Sequence, residues 1–160
     1  MDANKKMKTM LENLASGISE KLVNLTVLNL QKIMSPQFTQ VYDSIIVSRD
    51  KIEISEEQYS RVIKMHGDKT GYEASNNDTR VNDFFETDLP GSEALLIALM
   101  IVDVWGGKLK CLEPESDFCF IIDCDENYVT LRFHKLRSNE GMWLSDDIEG
   151  YDGAIGYIIV

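Results

Sequence analysis

From Ala94 to Trp105 the chain runs Ala-Leu-Leu-Ile-Ala-Leu-Met-Ile-Val-Asp-Val-Trp, with Asp103 the one polar residue. A helix that is apolar on every side has to be enclosed by other elements or by lipid. Lipid demands roughly 20 apolar residues in a row, and this run is too short. Ser92 is positioned as an N-cap, Glu93 falls in the first turn, and Gly106-Gly107 offers an exit. The stretch 92–105 is therefore expected to be a central helix with a sheet laid against it, and Leu99 is expected to lie in the core.

The flanking segments supply the other layer. Residues 4–33 carry an apolar stripe of Met7, Met10, Leu11, Leu14, Ile18, Leu22 and Leu25 at helical spacing, with a break at Ser16-Gly17. That stripe can cap the domain's own core or pack on a second copy or a partner. Residues 40–47 read as a strand, turned at Ser48-Arg49-Asp50 into a second one at 51–54. Ser55-Glu56-Glu57-Gln58 is a capping-box pattern opening a helix whose inner face is Tyr59, Val62, Ile63 and His66, ended by Gly67. Residues 68–80 are polar and read as an exposed loop. Val81, Phe84 and Phe85 pin a short helix. After Gly107 the pattern alternates, so strands are expected at 108–112, 118–122, 128–135 and 154–160. On the third of these Val129, Leu131 and Phe133 face inward, while Tyr128, Thr130, Arg132 and His134 face water.

The fold class that follows is α+β: an antiparallel sheet packed on a central apolar helix, with an N-terminal helical segment. At 160 residues the chain is expected to be one domain, with residues 1–34 as the helical segment and 40–160 as the α+β core. No cofactor motif is present: there is no Gly-rich phosphate loop, no Gly-x-Ser-x-Gly and no His-Glu-x-x-His. Cys111, Cys119 and Cys124 lack Cys-x-x-Cys spacing, and Cys119 and Cys124 should point to opposite faces of a strand. With no signal peptide or spanning segment in the sequence, the three read as free thiols of a cytoplasmic protein without a metal site.

Charge is the feature that speaks to function. The net charge is -11, and it is placed unevenly: residues 1–67 sum to +1 and residues 68–160 to -12. Such acidity disfavours nucleic acid and anionic membrane and favours a basic partner. The stretch 143–152 sets four carboxylates, Asp146, Asp147, Glu149 and Asp152, between two aromatics, Trp143 and Tyr151. Aromatic anchors beside charge are the stuff of interface hot spots. A second acidic patch comprises Asp78, Asp83, Glu86 and Asp88, followed by Glu93. An acid–base pair for hydrolysis would have to come from Arg132 and His134 on one strand face. The chain is expected not to be an enzyme.

The run Ser-Glu-Ala-Leu-Leu-Ile-Ala-Leu-Met-Ile-Val-Asp-Val-Trp (92–105) and the segment Met-Trp-Leu-Ser-Asp-Asp-Ile-Glu-Gly-Tyr (142–151), followed by an apolar last strand, carry a resemblance. In layout and acidity the chain resembles the immunity proteins that accompany bacterial polymorphic and contact-dependent inhibition toxins. The resemblance implies stoichiometric binding to one toxin domain, often a cationic nuclease, and implies no particular binding residue. Two other functions stand beside it: a non-catalytic domain that self-associates through its N-terminal helix, and a hydrolase using the Arg132/His134 face.

Overall fold

The computed structural model describes residues 1–17, 33–48, 50, 52–86, 89–125 and 128–160. Ile18, Leu22 and Leu25 of the N-terminal stripe, and Asp88 of the second acidic patch, lie outside the described residues.

The order is β1 (Asp2–Ala3), α1 (Lys5–Gly17), β2 (Phe38–Val41), β3 (Ser44–Val47), α2 (Glu56–His66), α3 (Lys69–Asn76), β4 (Thr79–Arg80), α4 (Gly91–Leu112), β5 (Phe118–Cys124), β6 (Val129–Lys135) and β7 (Ala154–Ile159). The main sheet is antiparallel, with strand order β1-β7-β5-β6-β4, and β2 and β3 form a separate hairpin. The fold is the α+β arrangement expected. Strand alternation sends Phe118, Phe120, Ile122, Val129, Leu131 and Phe133 to one side of the sheet, where they meet Leu95, Ala98, Ile101, Val102, Trp105 and Leu109 of α4. Met7 of α1 is fully buried in the same core, and Met10, Leu11 and Leu14 pack against it. The described part of the N-terminal stripe is thus turned toward the chain's own core, Met7 wholly and the other three partly.

Several expectations are corrected. The central helix does not leave at Gly106-Gly107: α4 runs on to Leu112, so the strand expected at 108–112 is its last turn. Gly106 is buried, and a Cβ there would come within 3.0 Å of the Val160 side chain. That glycine is kept small by packing rather than by a turn. The helix opens after Pro90, with no side-chain cap from Ser92. Nor is it enclosed on every side by described residues: Met100 is 54% exposed, and Leu99 is half-buried while Leu95 is fully buried.

The hairpin turns at Tyr42-Asp43, not at 48–50, and residues 52–55 are not a strand. Tyr42 has φ 54°, a conformation a bulky residue rarely takes. It is held there by its hydroxyl, which donates to the Ile54 carbonyl at 3.1 Å, and by stacking on Tyr59 at 4.7 Å. The Ser55–Gln58 capping box forms as expected, and Gly67 ends α2 at φ 90°.

The largest correction concerns residues 68–80. They form α3, opened by the Asp68 side chain accepting from Gly71 N–H at 2.7 Å, followed by β4. Tyr72 and Ala74 are buried, as are the polar Thr70, Glu73 and Asn77. Glu73 Oε1 accepts from the Ile45 amide at 2.8 Å, and Asn77 accepts from the Val47 amide and donates to the Ile45 carbonyl. Two side chains of the α3 segment thus occupy the outer edge of β3 as a neighbouring strand would. Both Glu73 oxygens also receive Arg137, at 2.8 and 2.9 Å, and Oε2 accepts the Lys135 amide. Glu73 is fully buried, yet each oxygen has two donors, which is what a buried carboxylate requires. Burial pushes its carboxyl above the ordinary range, against the pull of Arg137 and the two amides. Asp43, in the hairpin turn, faces Lys69, Arg137 and Lys135. Burial works to raise its carboxyl, but those cations outweigh it and hold it at about 2.

Candidate functional site

The far side of the sheet was expected to be wet. It is instead partly roofed by the segment 142–151, a strap whose Leu144 is buried against Cys119, Ile121 and Ile155, with Met142, Tyr151 and Tyr157 packed around them. The strap is fixed by its own hydrogen bonds. The Tyr151 hydroxyl accepts from Ser145 N–H at 3.0 Å, Ser145 Oγ accepts from Asp147 N–H at 3.3 Å, and a short 3₁₀ turn at Ile148–Gly150 follows.

His134 lies beneath this strap with no exposed surface. Its Nε2 faces the backbone N–H of Trp143 at 3.4 Å, and its Nδ1 faces the Lys135 carbonyl at 3.2 Å. An amide can only donate, so Nε2 is the acceptor and Nδ1 carries the proton. Burial lowers the imidazole's affinity for a second proton. His134 and Arg132 do share a strand face, as expected, but His134 is a buried structural group there and not a solvent-facing base.

Arg132 ties the two acidic patches together. Its Nη2 donates to Asp78 at 2.8 Å, and its guanidinium carbon lies 4.9 Å from the centre of the Trp143 ring. Asp78, from one predicted patch, and Trp143, from the other, thereby become parts of one surface. Trp143 is 37% exposed. Arg80 repeats the motif nearby, 4.6 Å from the centre of the Tyr128 ring. Asp83 and Glu86 are not drawn in: they are exposed on the turn whose Val81, Phe84 and Phe85 enter the helix-side core.

The four carboxylates of residues 143–152 divide into two kinds. Glu149 accepts from Lys5 N–H at 3.2 Å, at the first turn of α1, where an anion offsets the helix dipole. Beside it Asn4 caps α1 by accepting from Met7 N–H at 3.0 Å, and donates to the Gly153 carbonyl at 2.8 Å. Asp146, Asp147 and Asp152 are exposed and form no ion pair among the described residues. Tyr151, expected as an anchor, is half-buried in the strap's own packing and hydrogen-bonding. The groups that spacing does not reveal are Arg132, as the support of the Trp143 ring, and Asn4, which ties the start of α1 to Gly153 and Ile155 just after the strap.

The cysteines do not converge. Cys111 is exposed on α4, Cys119 packs under the strap and Cys124 on the helix side, so the last two do take opposite faces. No group of three or more His, Cys, Asp or Glu side chains among the described residues is placed to hold a metal ion. No helix among them is long and apolar enough to cross a membrane.

A family model described as the uncharacterized protein PM0498 family matches residues 2–159. The chain belongs to that family. The PM0498 match spans β1 to β7, so the Glu73 pairing, the Asn4 tether and the strap all fall within it. No curated protein and no solved structure matches the chain.

Proposed function

We propose that this member of the PM0498 family is a cytoplasmic immunity protein that binds a basic toxin domain, of the nuclease kind, one to one and neutralises it. The observation that carries the reading is the surface at the strap. Trp143, supported by Arg132 and Asp78, stands exposed in the same segment as Asp146, Asp147 and Asp152, three carboxylates with no internal ion pair among the described residues. The Lys6 ammonium donates to the Asp152 carbonyl, but Asp146 and Asp147 are neighbours in the chain with no such cation among the described residues, and a Lys/Arg-rich partner would turn their repulsion into attraction. The net charge of -12 on residues 68–160 adds a long-range field of the same sign.

The hydrolase alternative loses its base in this geometry, because His134 is sealed under the strap. Self-association through the N-terminal helix is less favoured, because Met7 is buried in the chain's own core and Met10, Leu11 and Leu14 pack partly against it.

The test is functional rescue. The gene beside this chain is expected to encode a secreted toxin domain that arrests growth when expressed alone, and co-expression of the chain should restore growth. Association measured with the purified pair should slow as salt is raised, since screening weakens charge steering. A neighbouring gene with no toxin activity, or rescue absent despite both proteins being present, defeats the reading.

A further inference from the structure

A cleft of about 230 Å³ opens between the strap and the sheet, lined by Asp2, Met142, Leu144, Ser145, Asp146, Ile148 and Tyr157. It is smaller than the 300–1,000 Å³ or so typical of small-molecule and cofactor sites. Its walls are of two sorts. Met142, Leu144, Ile148 and the Tyr157 ring give an apolar lining, and Asp2 and Asp146 add two carboxylates that are exposed to water. Neither carboxylate is spent in an ion pair among the described residues. Asp2 accepts a hydrogen bond from the Tyr157 hydroxyl, which leaves further acceptor sites on an ionised carboxylate.

Both walls are fixed. Asp2 pairs with Tyr157 across β1 and β7, and the strap is pinned by Leu144 and by the Tyr151–Ser145 hydrogen bond. A hard metal ion would want six or more oxygens, and the apolar lining denies them. An anion is repelled. What matches an apolar slot flanked by two carboxylates and a hydroxyl is an aliphatic stem ending in a spread of hydrogen-bond donors. A guanidinium offers five donors in one plane, is always charged and stacks on aromatic rings, whereas an ammonium is a compact, strongly hydrated point.

We infer that this cleft receives a single arginine side chain of the partner protein, its stem along Met142, Leu144 and Ile148 and its guanidinium between Asp2 and Asp146. The inference rests on the basic-partner reading for its biological sense, and it adds the anchor that such a partner inserts.

The test needs no toxin. N-acetyl-arginine methylamide is titrated into the full chain with methyl- and amide-labelled NMR detection, alongside the citrulline, lysine and norleucine analogues. Saturable shifts at the Met142 and Ile148 methyls and at Tyr157 are expected with the arginine compound, at least threefold weaker binding with lysine, and none with citrulline or norleucine. Asp2→Asn with Asp146→Asn should remove the shifts while the rest of the spectrum is unchanged; if that pair disturbs the fold, Asp146→Asn alone carries the comparison. Equal shifts from citrulline would make the cleft merely apolar, and binding of lysine as strong as arginine would remove the guanidinium assignment. Shifts that grow without saturating and spread over Asp147 and Asp152 would reduce it to charge condensation. Any of these overturns the proposal. Saturable arginine binding without rescue from a toxin would remove the immunity reading and leave the cleft assignment standing.

Discussion

The guanidinium of Arg132 lies under the Trp143 ring, 4.9 Å from its centre, while its Nη2 donates to Asp78 at 2.8 Å. An exposed indole is thereby held in one orientation. For the partner proposed above, ordering that would otherwise be charged to binding would already be done, as it is for rigid aromatic hot spots.

Trp143→Ala is expected to weaken partner binding by about 2 kcal/mol or more, in the range of hot-spot residues. The thermal midpoint should move little, because the ring is exposed and stands outside the cluster that Leu144 forms under the strap. Surface-immobilised kinetics with a melt of the same sample checks both. Arg132→Gln should give a smaller loss of the same sign, since it leaves the indole and removes its support.

Asp146→Lys with Asp147→Lys should weaken binding at least tenfold, which is about 1.4 kcal/mol, with stability unchanged or slightly higher. Glu149 should behave differently. Its carboxylate accepts from Lys5 N–H, so Glu149→Ala is expected to cost roughly 0.3–1 kcal/mol of stability. Denaturant titration separates the two behaviours, and a large binding loss from Glu149→Ala at unchanged stability would contradict the division.

Glu73→Ala should be the most damaging single change among the charged residues, at about 3–5 kcal/mol, because it strands the buried end of Arg137 and two backbone amides. Urea unfolding midpoints would report it. A cost near that of an exposed ion pair would mean that water replaces the carboxylate.

Two of the groups with shifted proton affinity give separate, testable windows in acid. His134 has its proton affinity lowered by burial, so the folded chain binds a proton less readily than the unfolded one. Its contribution is fully present above the unfolded value near 6.5 and is lost as pH falls below it. Asp43 sits at about 2 against an ordinary 3.8, so its contribution is present above 3.8 and is lost as pH falls through 2. Urea midpoints should therefore drop between pH 7.5 and 5.5 in the natural chain and less so in His134→Phe. Between pH 4 and 2 the natural chain should lose stability that Asp43→Asn never had.

The thiols should separate by position. Cys119 and Cys124 are buried, and desolvation pushes both up to about 12, while Cys111 is exposed. A thiol reagent at pH 8 should modify Cys111 rapidly and the other two only after denaturant is added, to a total of three.

The parts of the fold legible in the sequence are those set by near neighbours. The Ser55–Gln58 box closes within four residues, and the inward set Val129, Leu131, Phe133 follows from strand alternation alone. Residues 68–80 were opaque because composition marks them polar, and polarity is what their role demands: Glu73 and Asn77 bury themselves on partners 28 to 64 positions away. Gly106 is small because Val160 packs against it, not because the chain turns there, and the turn at Tyr42 is held by Ile54 and Tyr59. At the candidate site, sequence clustering picks out the Trp143–Asp152 segment. That Glu149 is occupied by α1, and that Asp78 reaches Trp143 through Arg132, are facts of three-dimensional pairing.

The side chains along the outer edge of β3 have a consequence for how the protein behaves in a crowded solution. An uncovered strand edge is a template on which other chains add, and it is a common starting point for fibrils. Here the amides of Ile45 and Val47 and the carbonyl of Ile45 are already answered by Glu73 and Asn77. These two residues shield the hairpin from adventitious strand pairing as well as bracing it. A variant lacking Asn77 would first betray itself in light scattering on standing, at temperatures where the fold is still intact.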